Sequence, residues 1–246
     1  MKILHLETGM NLYGGALQVL YLLRGLADRP EMENVLVCPE GSAISAKAAP
    51  AVSRLITVPM KGDLDLRFLS SLVGILKREQ PDIVHLHSRR GADVLGGIAA
   101  RLTGRTCVLT RRVDNPEPAL LVRLKYRMYD RIITISEGIR DVLVGEGVPA
   151  GKIRCVPSAV DARIYSRPCD KHWFRTQFGL DEGERVCGVV AQFIERKGHR
   201  YLLRAVPEIL AAVPAVRLLL FGKGPLEGEL RSLCRELGIQ DRVIFA

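Results

Sequence analysis

The sequence KILHL at residues 2–6 is followed by the loop ETGMNLYGG at residues 7–15 and by the segment ALQVLYLLRGLA at residues 16–27. The first run is short and apolar enough for one buried strand, and the apolar residues of the last segment recur at helical spacing. A buried strand, a glycine-bearing turn and a helix form the first half of a βαβ unit. This stretch therefore predicts an α/β fold built on a parallel sheet.

The same alternation of short apolar runs and longer amphipathic segments continues through the rest of the chain. We predict further strands at residues 34–38, 56–59, 83–86, 106–110, 131–135, 152–156, 186–191, 216–221 and 243–245. Helices are predicted at residues 67–79, 92–102, 120–129, 137–144, 171–178, 200–212 and 225–237. Parallel sheets covered by helices account for the many aliphatic residues.

The repeating pattern is interrupted once, which divides the chain into two predicted domains. Residues 1–165 form the first domain, residues 166–184 a charged linker with one isolated helix, and residues 185–246 the second domain. The second domain holds two complete strands and the start of a third, which leaves apolar surface uncovered. We therefore expect the second domain to be incomplete, as in a fragment or a truncated gene product.

The composition and charge of the chain favour some classes of partner over others. The 246 residues are 48% hydrophobic and 26% charged, and the formal net charge is +9. The basic residues are spread along the chain without a basic stripe of stacking aromatics, which argues against nucleic-acid binding. The charge favours phosphate-bearing small molecules and a loose peripheral contact with an anionic membrane.

From the sequence we expect neither an export signal nor a membrane span. The apolar run at residues 2–6 meets Glu7 at once, and no run of about 18 apolar residues occurs. The six cysteines form no CxxC pair, and Cys38, Cys107, Cys155 and Cys187 lie in or beside strand-like runs. We expect these four to be core residues in a reducing compartment, not metal ligands or disulfides. The prediction is a cytoplasmic protein, at the inner face of the membrane if it contacts one, without a metal site.

The glycine pair Gly14-Gly15 is the first candidate binding segment. Glycines at this position let backbone amides approach an anion at the positive end of a helix. The loop lacks both the GxGxxG of dinucleotide-binding proteins and the GxxxxGK[ST] of P-loop proteins, so it predicts neither class. A tight turn before the helix explains the same two residues.

Two further segments follow strands whose carboxyl ends face the ligand crevice of an open α/β sheet. The sequence HLHS at residues 85–88 places His87 and Ser88 where we expect them to be exposed. The sequence TRRVDN at residues 110–115 places Arg111 and Arg112 where they could hold phosphates or an acidic acceptor. A core or capping histidine, and a solvated loop paired with Asp114, are the structural alternatives.

The second domain has two comparable turns between a strand and a helix. The sequence QFIERKG at residues 192–198 places Lys197 before a helix, where it could meet a diphosphate as a point charge. In GKGP at residues 222–225, Gly222 and Gly224 permit a sharp turn and Pro225 fits a first helical position. A surface lysine and turn chemistry alone explain the same residues.

Taken in order, six segments resemble the pattern of glycosyltransferase family 4, which has the GT-B fold. They are GG at residues 14–15, PDIVHLHS at 81–88, ITISE at 133–137, VPSAVD at 156–161, KG at 197–198 and GKGP at 222–225. The resemblance covers essentially the whole chain. It implies two Rossmann-like domains across a cleft, the first mostly for the acceptor and the second mostly for a nucleotide-sugar donor.

The resemblance also implies roles for single residues. Gly14 and Gly15 would approach the donor phosphates, and Lys197 would contact the diphosphate. The nucleotide end of the cleft would be lined by Gln192, Gly222 and Gly224. The acceptor side would contain His87, Ser88, Arg111, Arg112, Ser136 and Glu137. Reactions of the family retain the anomeric configuration and need no metal, so the nucleotide sugar is a co-substrate and no cofactor is expected.

Three departures from the family pattern limit these assignments. Gln192 stands where the family commonly has arginine, which removes one charge-assisted contact to the diphosphate. Arg112 stands where the family often has histidine, so no catalytic histidine is carried over. The family's acidic EX7E element lies downstream of the GKGP turn, beyond residue 246.

The sequence thus predicts a retaining glycosyltransferase that moves a sugar from a nucleotide-diphosphate sugar to a glycan or lipid-linked acceptor, as in cell-envelope polysaccharide synthesis. Because the second domain is incomplete, we expect this chain to be inactive or severely impaired. One alternative is a non-catalytic fragment that binds the acceptor. Another is an epimerase of the same GT-B architecture, which uses a nucleotide sugar without an acceptor. A dehydrogenase is a poor alternative because GxGxxG is lacking.

Overall fold

The computed structural model describes residues 1–63, 65–88, 91–166 and 168–246, and it divides into two compact units. The first unit is Met1–Ala162 and the second is Arg163–Ala246. Each unit has a parallel sheet with helices, which confirms the predicted α/β class with two parallel-sheet domains. The stretch predicted as a linker, residues 166–184, contains the helix Lys171–Phe178.

The first unit is built on a seven-stranded sheet. Its strands are β1 (Lys2–Leu6), β2 (Glu33–Cys38), β3 (Arg54–Thr57), β4 (Ile83–Leu86), β5 (Thr106–Arg111), β6 (Arg131–Thr134) and β7 (Ile153–Cys155). Its helices are α1 (Gly14–Ala27), α2 (Ala43–Ala48), α3 (Leu66–Glu79), α4 (Ala92–Leu102), α5 (Ala119–Lys125) and α6 (Glu137–Gly145). The strand order is β3-β2-β1-β4-β5-β6-β7, so the order reverses between β1 and β4.

Side chains alternate along each strand, and this gives the sheet two different faces. On one face, strand residues and helices α3, α4 and α5 share a large apolar core that contains Leu4, Leu6, Val84, Leu86, Phe68, Leu95 and Val122. Burying each of the larger aliphatic side chains contributes roughly 1.5–3 kcal/mol to folding. The residues between them on β1 and β4 are His5 and His85, which are buried on the opposite face.

Helix α3 shows how the local sequence sets the bounds of an element. The carboxylate of Asp65 accepts hydrogen bonds from the backbone N–H groups of Arg67 and Phe68, as an N-cap should. At the other end Gln80 adopts a left-handed conformation with φ of 46°, and its N–H donates to the carbonyl of Leu76. The next residue, Pro81, cannot continue the helix.

Helix α1 packs on the opposite face of the sheet over β1 and β2. This second core contains Ala16, Val19, Leu20, Leu23, Leu36, Cys38, Ile44 and Ala48. The last two residues belong to α2, which the sequence analysis did not predict. With six residues, α2 is too short to show a helical period, and its place depends on packing against α1.

The second unit has a three-stranded parallel sheet in the order β10-β9-β8. Its strands are β8 (Arg185–Val190), β9 (Val216–Phe221) and β10 (Val243–Phe245). The helices are α7 (Ala162–Tyr165), which begins at the boundary, α8 (Lys171–Phe178), α9 (His199–Ala212) and α10 (Glu227–Glu236). Its core contains Phe193, Leu203, Val206, Leu218, Leu220 and Leu230. Across the described ranges of both units, no helix is long and apolar enough to cross a membrane.

The cysteines follow the sequence prediction only in part. Cys38 and Cys107 are buried core residues, as predicted, whereas Cys155 is half-buried. The prediction is wrong for Cys187, which is exposed. The reason is that β8 is an edge strand of the second sheet and most of its side chains are accessible.

Candidate functional site

The candidate site lies at the carboxyl edge of the first sheet, where the strand order reverses between β1 and β4. Open α/β sheets bind ligands at such a point because the loops that leave the two strands diverge and open a crevice. Two cavities of about 420 Å³ and about 600 Å³ are present there, and His87 lines both. The smaller cavity runs along α1 to Arg112, and the larger includes Gly15 and Ser88.

The glycine pair forms the first turn of α1. The preceding residue, Tyr13, provides no side-chain cap for the helix N-terminus. A Cβ added at Gly14 would meet no atom within 4 Å, and one added at Gly15 would lie 3.6 Å from Cδ of Arg112, an ordinary contact. The packing of the first unit therefore does not require glycine here. What the two glycines provide is room beside the helix N-terminus, where backbone N–H groups carry partial positive charge.

The two adjacent arginines lie on opposite faces of the sheet. Arg111 has the same strand parity as the core residues Cys107 and Leu109, so its side chain lies on the face that α3, α4 and α5 cover. Arg112 has the other parity and lines the smaller cavity beside Gly15. Among the described residues, the Nε of Arg112 has no hydrogen-bond partner.

Arg111, predicted to hold a ligand, is not among the residues that line the two cavities. Its side chain is only 2% exposed, and its guanidinium donates to the carbonyls of Val113 and Asn115 and pairs with Glu117 at 3.1 Å. The ammonium of Lys125 lies 2.9 Å from Glu117 and 2.6 Å from Asp93. Because this buried network engages the guanidinium, Arg111, at the end of β5, holds the loop between β5 and α5 in place.

The carboxyl group of Glu117 is held in its charged form by this network. Burial alone would raise its pKa, but the hydrogen bonds from Lys125 and from the hydroxyl of Tyr126 outweigh burial. The nearby charge of Arg111 acts in the same direction, and the pKa of Glu117 is lower than its ordinary value. The negative charge that balances Arg111 is therefore maintained.

A small hydrogen-bond network joins the loops that follow β1 and β4. The hydroxyl of Ser88 donates to Oε1 of Glu7 at 2.6 Å and accepts from the N–H of Thr8 at 2.7 Å. The N–H of Gly9 donates to the same carboxylate oxygen at 2.9 Å. Glu7 was not predicted as a site residue, although its place directly after β1 at the same sheet edge as Ser88 was a usable signal.

His87 belongs to a buried cluster of three histidines, so the prediction that it is exposed is wrong. Nδ1 of His5 lies 3.1 Å from Nε2 of His87, and Nε2 of His85 lies 2.7 Å from the hydroxyl of Thr110. Burial lowers the pKa of His5 to about 4. Burial, and then the charges of the neighbouring rings and Arg112, hold the pKa values of His85 and His87 well below their usual range. All three imidazoles are therefore neutral near pH 7.

Ser136 and Glu137 lie at the same sheet edge, after β6. The hydroxyl of Ser136 accepts a hydrogen bond from the N–H of Ile139 at 3.3 Å, so Ser136 is the N-cap of α6. Glu137 pairs with Arg140 at 3.3 Å. Both side chains are exposed, and their role on the acceptor side stays a prediction.

In the second unit, Gln192 and Lys197 are exposed in the loop between β8 and α9. Lys197 ends a single helical turn, and Gly198 then adopts a left-handed conformation with φ of 72° before α9 begins. A Cβ at Gly222 would overlap the carbonyl oxygen of Ala191, and one at Gly224 would overlap the backbone of Phe193. Backbone packing alone therefore requires both of these glycines.

Each of the two units matches the model of a known protein family. Residues 13–163 match the model of Glycosyltransferase Family 4, and residues 170–246 match that of Glycosyl transferases group 1. The chain belongs to glycosyltransferase family 4. The resemblance drawn from the sequence is thereby confirmed, and the two parallel-sheet units of this family 4 chain have the GT-B fold.

Two relatives are about a quarter identical to this family 4 chain over the residues that align. The N-acetyl-alpha-D-glucosaminyl L-malate synthase of Bacillus anthracis is 26% identical over 190 residues, which are 74% of this chain and 49% of the relative. The UDP-Gal:alpha-D-GlcNAc-diphosphoundecaprenol alpha-1,3-galactosyltransferase of Escherichia coli is 25% identical over 94% of this chain and 64% of its own. This chain thus spans about half to two thirds of the length of these relatives.

A solved structure shows the same fold. The Anabaena protein HepE (Alr3699), crystallised with UDP, is 19% identical to this family 4 chain and superposes with a TM-score of 0.83. The match covers 100% of this chain and 68% of HepE. At this identity the likeness concerns the fold alone.

Proposed function

We propose that this chain acts in the transfer of a sugar from a nucleotide-diphosphate sugar to a glycan or lipid-linked acceptor of the cell envelope, with retention of the anomeric configuration. Membership of glycosyltransferase family 4 supports the transferase class. The names of the relatives support the finer statement, since the E. coli enzyme uses a UDP-sugar and a diphosphoundecaprenol-linked acceptor. HepE was solved with UDP, which supports a uridine nucleotide as the first donor to test.

The observation that carries the proposal is that Arg112 lies next to Gly15 at the crevice of the first unit, with Cδ 3.6 Å from where a Cβ of residue 15 would be. A hydrogen-only side chain at the start of α1 lies beside an arginine whose Nε has no partner among the described residues. Free N–H groups and a guanidinium are the donors that a phosphate group needs. Glycosyl transfer requires such donors because negative charge develops on the leaving diphosphate.

The other candidate residues of the second unit are proposed to bind the donor, and those of the first unit to bind the acceptor. Lys197 is proposed to contact the donor diphosphate, with Gln192, Gly222 and Gly224 at the nucleotide. His87 and Ser88 are proposed to face the acceptor. Arg112 is proposed to lie between the acceptor and the donor phosphates, because its guanidinium has five N–H donors and can serve both. The reaction would use the nucleotide sugar as a co-substrate without a metal or cofactor, and the net charge of +9 would favour acceptors at an anionic membrane.

Isothermal titration calorimetry of the chain with UDP and with GDP tests donor binding. We expect Lys197→Ala to weaken binding of the preferred nucleotide about 10- to 100-fold, because a hydrogen bond to a charged group is worth roughly 1.5–3 kcal/mol. The matched control Lys171→Ala changes an exposed lysine of α8 and should leave binding unchanged. A chain without affinity for either nucleotide would support the alternative of an acceptor-binding fragment.

Product analysis with a radiolabelled nucleotide sugar separates the remaining alternatives. Label that reaches a polyprenyl-diphosphate sugar or a glycan supports the transferase. Label that appears in a new nucleotide sugar when no acceptor is added supports an epimerase. The anomeric configuration of the product, read by NMR, decides between retention and inversion.

A further inference from the structure

A line of hydrogen bonds runs through the first sheet from β2 to the end of β4. Oδ1 of Asn34 on β2 lies 3.2 Å from Nε2 of His5 on β1. Nδ1 of the same His5 ring lies 3.1 Å from Nε2 of His87 after β4. All three side chains are buried, and the His5 and His87 rings are nearly parallel, with an interplanar angle of 10°.

The chemistry of these groups fixes where each proton lies. An amide oxygen can only accept a hydrogen bond, so Nε2 of His5 must donate to Asn34. A neutral imidazole carries one N–H, so Nδ1 of His5 can only accept, and Nε2 of His87 must donate to it. Because the His87 ring is also neutral, its Nδ1 carries a lone pair and no proton.

The Nδ1 of His87 is shielded from solvent and has no hydrogen-bond partner among the described residues. An unpaired polar atom of this kind costs free energy, which a ligand that donates a hydrogen bond would recover. The ring lines the same cavity as Arg112, whose Nε offers a donor and also has no partner in the described ranges. An acceptor and a donor on one cavity wall match a hydroxyl group, which can both donate and accept.

We infer that Asn34 and His5 are positioning residues that hold His87 as its Nε2–H tautomer, so that its Nδ1 accepts a hydrogen bond from a hydroxyl group of the sugar acceptor. The tautomer assignment is independent of the proposed function. The identity of the hydroxyl rests on that function. A phosphate is not the ligand of this nitrogen, because a lone pair repels an oxyanion.

Metal binding is an alternative role for the three buried histidines. One nitrogen of His5, one of His85 and one of His87 lie within 4.8 Å of one another, a spacing that could hold a metal ion. A metal between His5 and His87 would replace the hydrogen bond that sets the tautomer. The experiment therefore includes zinc as an arm that can overturn the inference.

Long-range ¹H–¹⁵N NMR on protein labelled at the ring nitrogens of its five histidines reads each tautomer directly. We expect Nε2–H on both His5 and His87 in the wild-type protein at pH 7.5, without any substrate. The Nδ1–H form on His87 would overturn the inference, as would an Asn34 amide turned to place its NH₂ against His5. Stoichiometric shifts of these resonances with one equivalent of zinc chloride would also overturn it.

Two substitutions at one position separate positioning from packing. Asn34→Asp keeps an oxygen acceptor at the same place, and we expect both tautomers to be retained. Asn34→Leu removes the acceptor, and we expect His5 and His87 to populate both tautomers. Unchanged tautomers in Asn34→Leu would contradict the inference, and if that variant does not fold, the wild-type spectrum still decides.

Where sugar transfer is observed, the same pair of variants gives a kinetic readout. We expect Asn34→Leu to raise the KM for the acceptor about five- to tenfold, the effect of losing one neutral hydrogen bond. UDP affinity should stay at the wild-type value, and Asn34→Asp should restore the acceptor KM. Equal losses in both variants, or a parallel loss of UDP affinity, would contradict a positioning role.

Discussion

The strand-to-helix turns of the two units both contain paired glycines, but the glycines differ in the space around them. At the start of α1, a methyl group at Gly15 would make only ordinary contact with Arg112. After β9, methyl groups at Gly222 and Gly224 would overlap the backbone of the neighbouring loop. The second pair is explained by packing alone, whereas the first leaves room that the fold does not use. Sequence motifs of similar appearance can therefore have different physical causes.

The sharpest test of this difference is Gly222→Ala. We expect it to destabilise the second unit by more than about 3 kcal/mol, because the new methyl group would displace the backbone at Ala191. Urea unfolding followed by the fluorescence of Trp173, on α8 of the same unit, would measure the change. Gly228→Ala is the matched control, since no atom lies within 4 Å of its added Cβ, and it should be neutral or slightly stabilising. Equal stability of the two variants would remove the distinction between the turns.

The stability of the first unit should depend on pH because its buried imidazoles are neutral in the folded state. The folded-state pKa of His5 is about 4, below its ordinary value of 6.5, so the unfolded chain binds the proton first. Stability from this group is complete above pH 6.5 and is lost as the pH falls from 6.5 to about 4. The full loss is roughly 3 kcal/mol, and His85 and His87 act in the same direction.

The measurement is urea unfolding by circular dichroism at pH 7.5, 6, 5 and 4. His5→Gln should flatten the profile over this window, and His172→Gln, which changes an exposed ring on α8, should leave it as it is. A His5→Gln profile that follows the wild type would show that His5 does not titrate in this window.

The smallest effect on folding is expected for Gly15→Ala. Because the added methyl group fits in the free protein, stability should change by less than about 0.5 kcal/mol, with Gly14→Ala as the paired control. UDP affinity, measured by calorimetry, should fall about tenfold in Gly15→Ala, since the methyl group would fill the space beside the helix N-terminus. Unchanged affinity would mean that the room at Gly15 is not used for phosphate.

Most of the fold could be predicted from the sequence because its signals are local. The strand 83–86 and the helix 92–102 have the predicted bounds, since each is a periodic run bounded by breakers. Helix α2 was missed because six residues do not show a period, and its position depends on contacts with α1.

The candidate site was less predictable because its geometry depends on strand order. His5 and His87 are 82 positions apart, and only the adjacency of β1 and β4 brings them together. The bond between Glu7 and Ser88 has the same origin. The sequence contains a signal that Arg111 and Arg112 lie on opposite faces, because Arg111 continues the alternation of Cys107 and Leu109. Using that signal required β5 to extend one residue further than predicted.

The buried ionic network behind Arg112 has a consequence for how this part of the protein can vary. Arg111, Glu117, Lys125 and Asp93 alternate in sign, so their charges cancel within a small and largely buried volume. Losing one member leaves an odd charge there, at a cost of about 3–5 kcal/mol. A change of charge at one of these positions therefore needs a compensating change at a neighbouring member of the network. The position of Arg112 beside the cavity therefore depends on a neighbouring ionic network whose members can change only together.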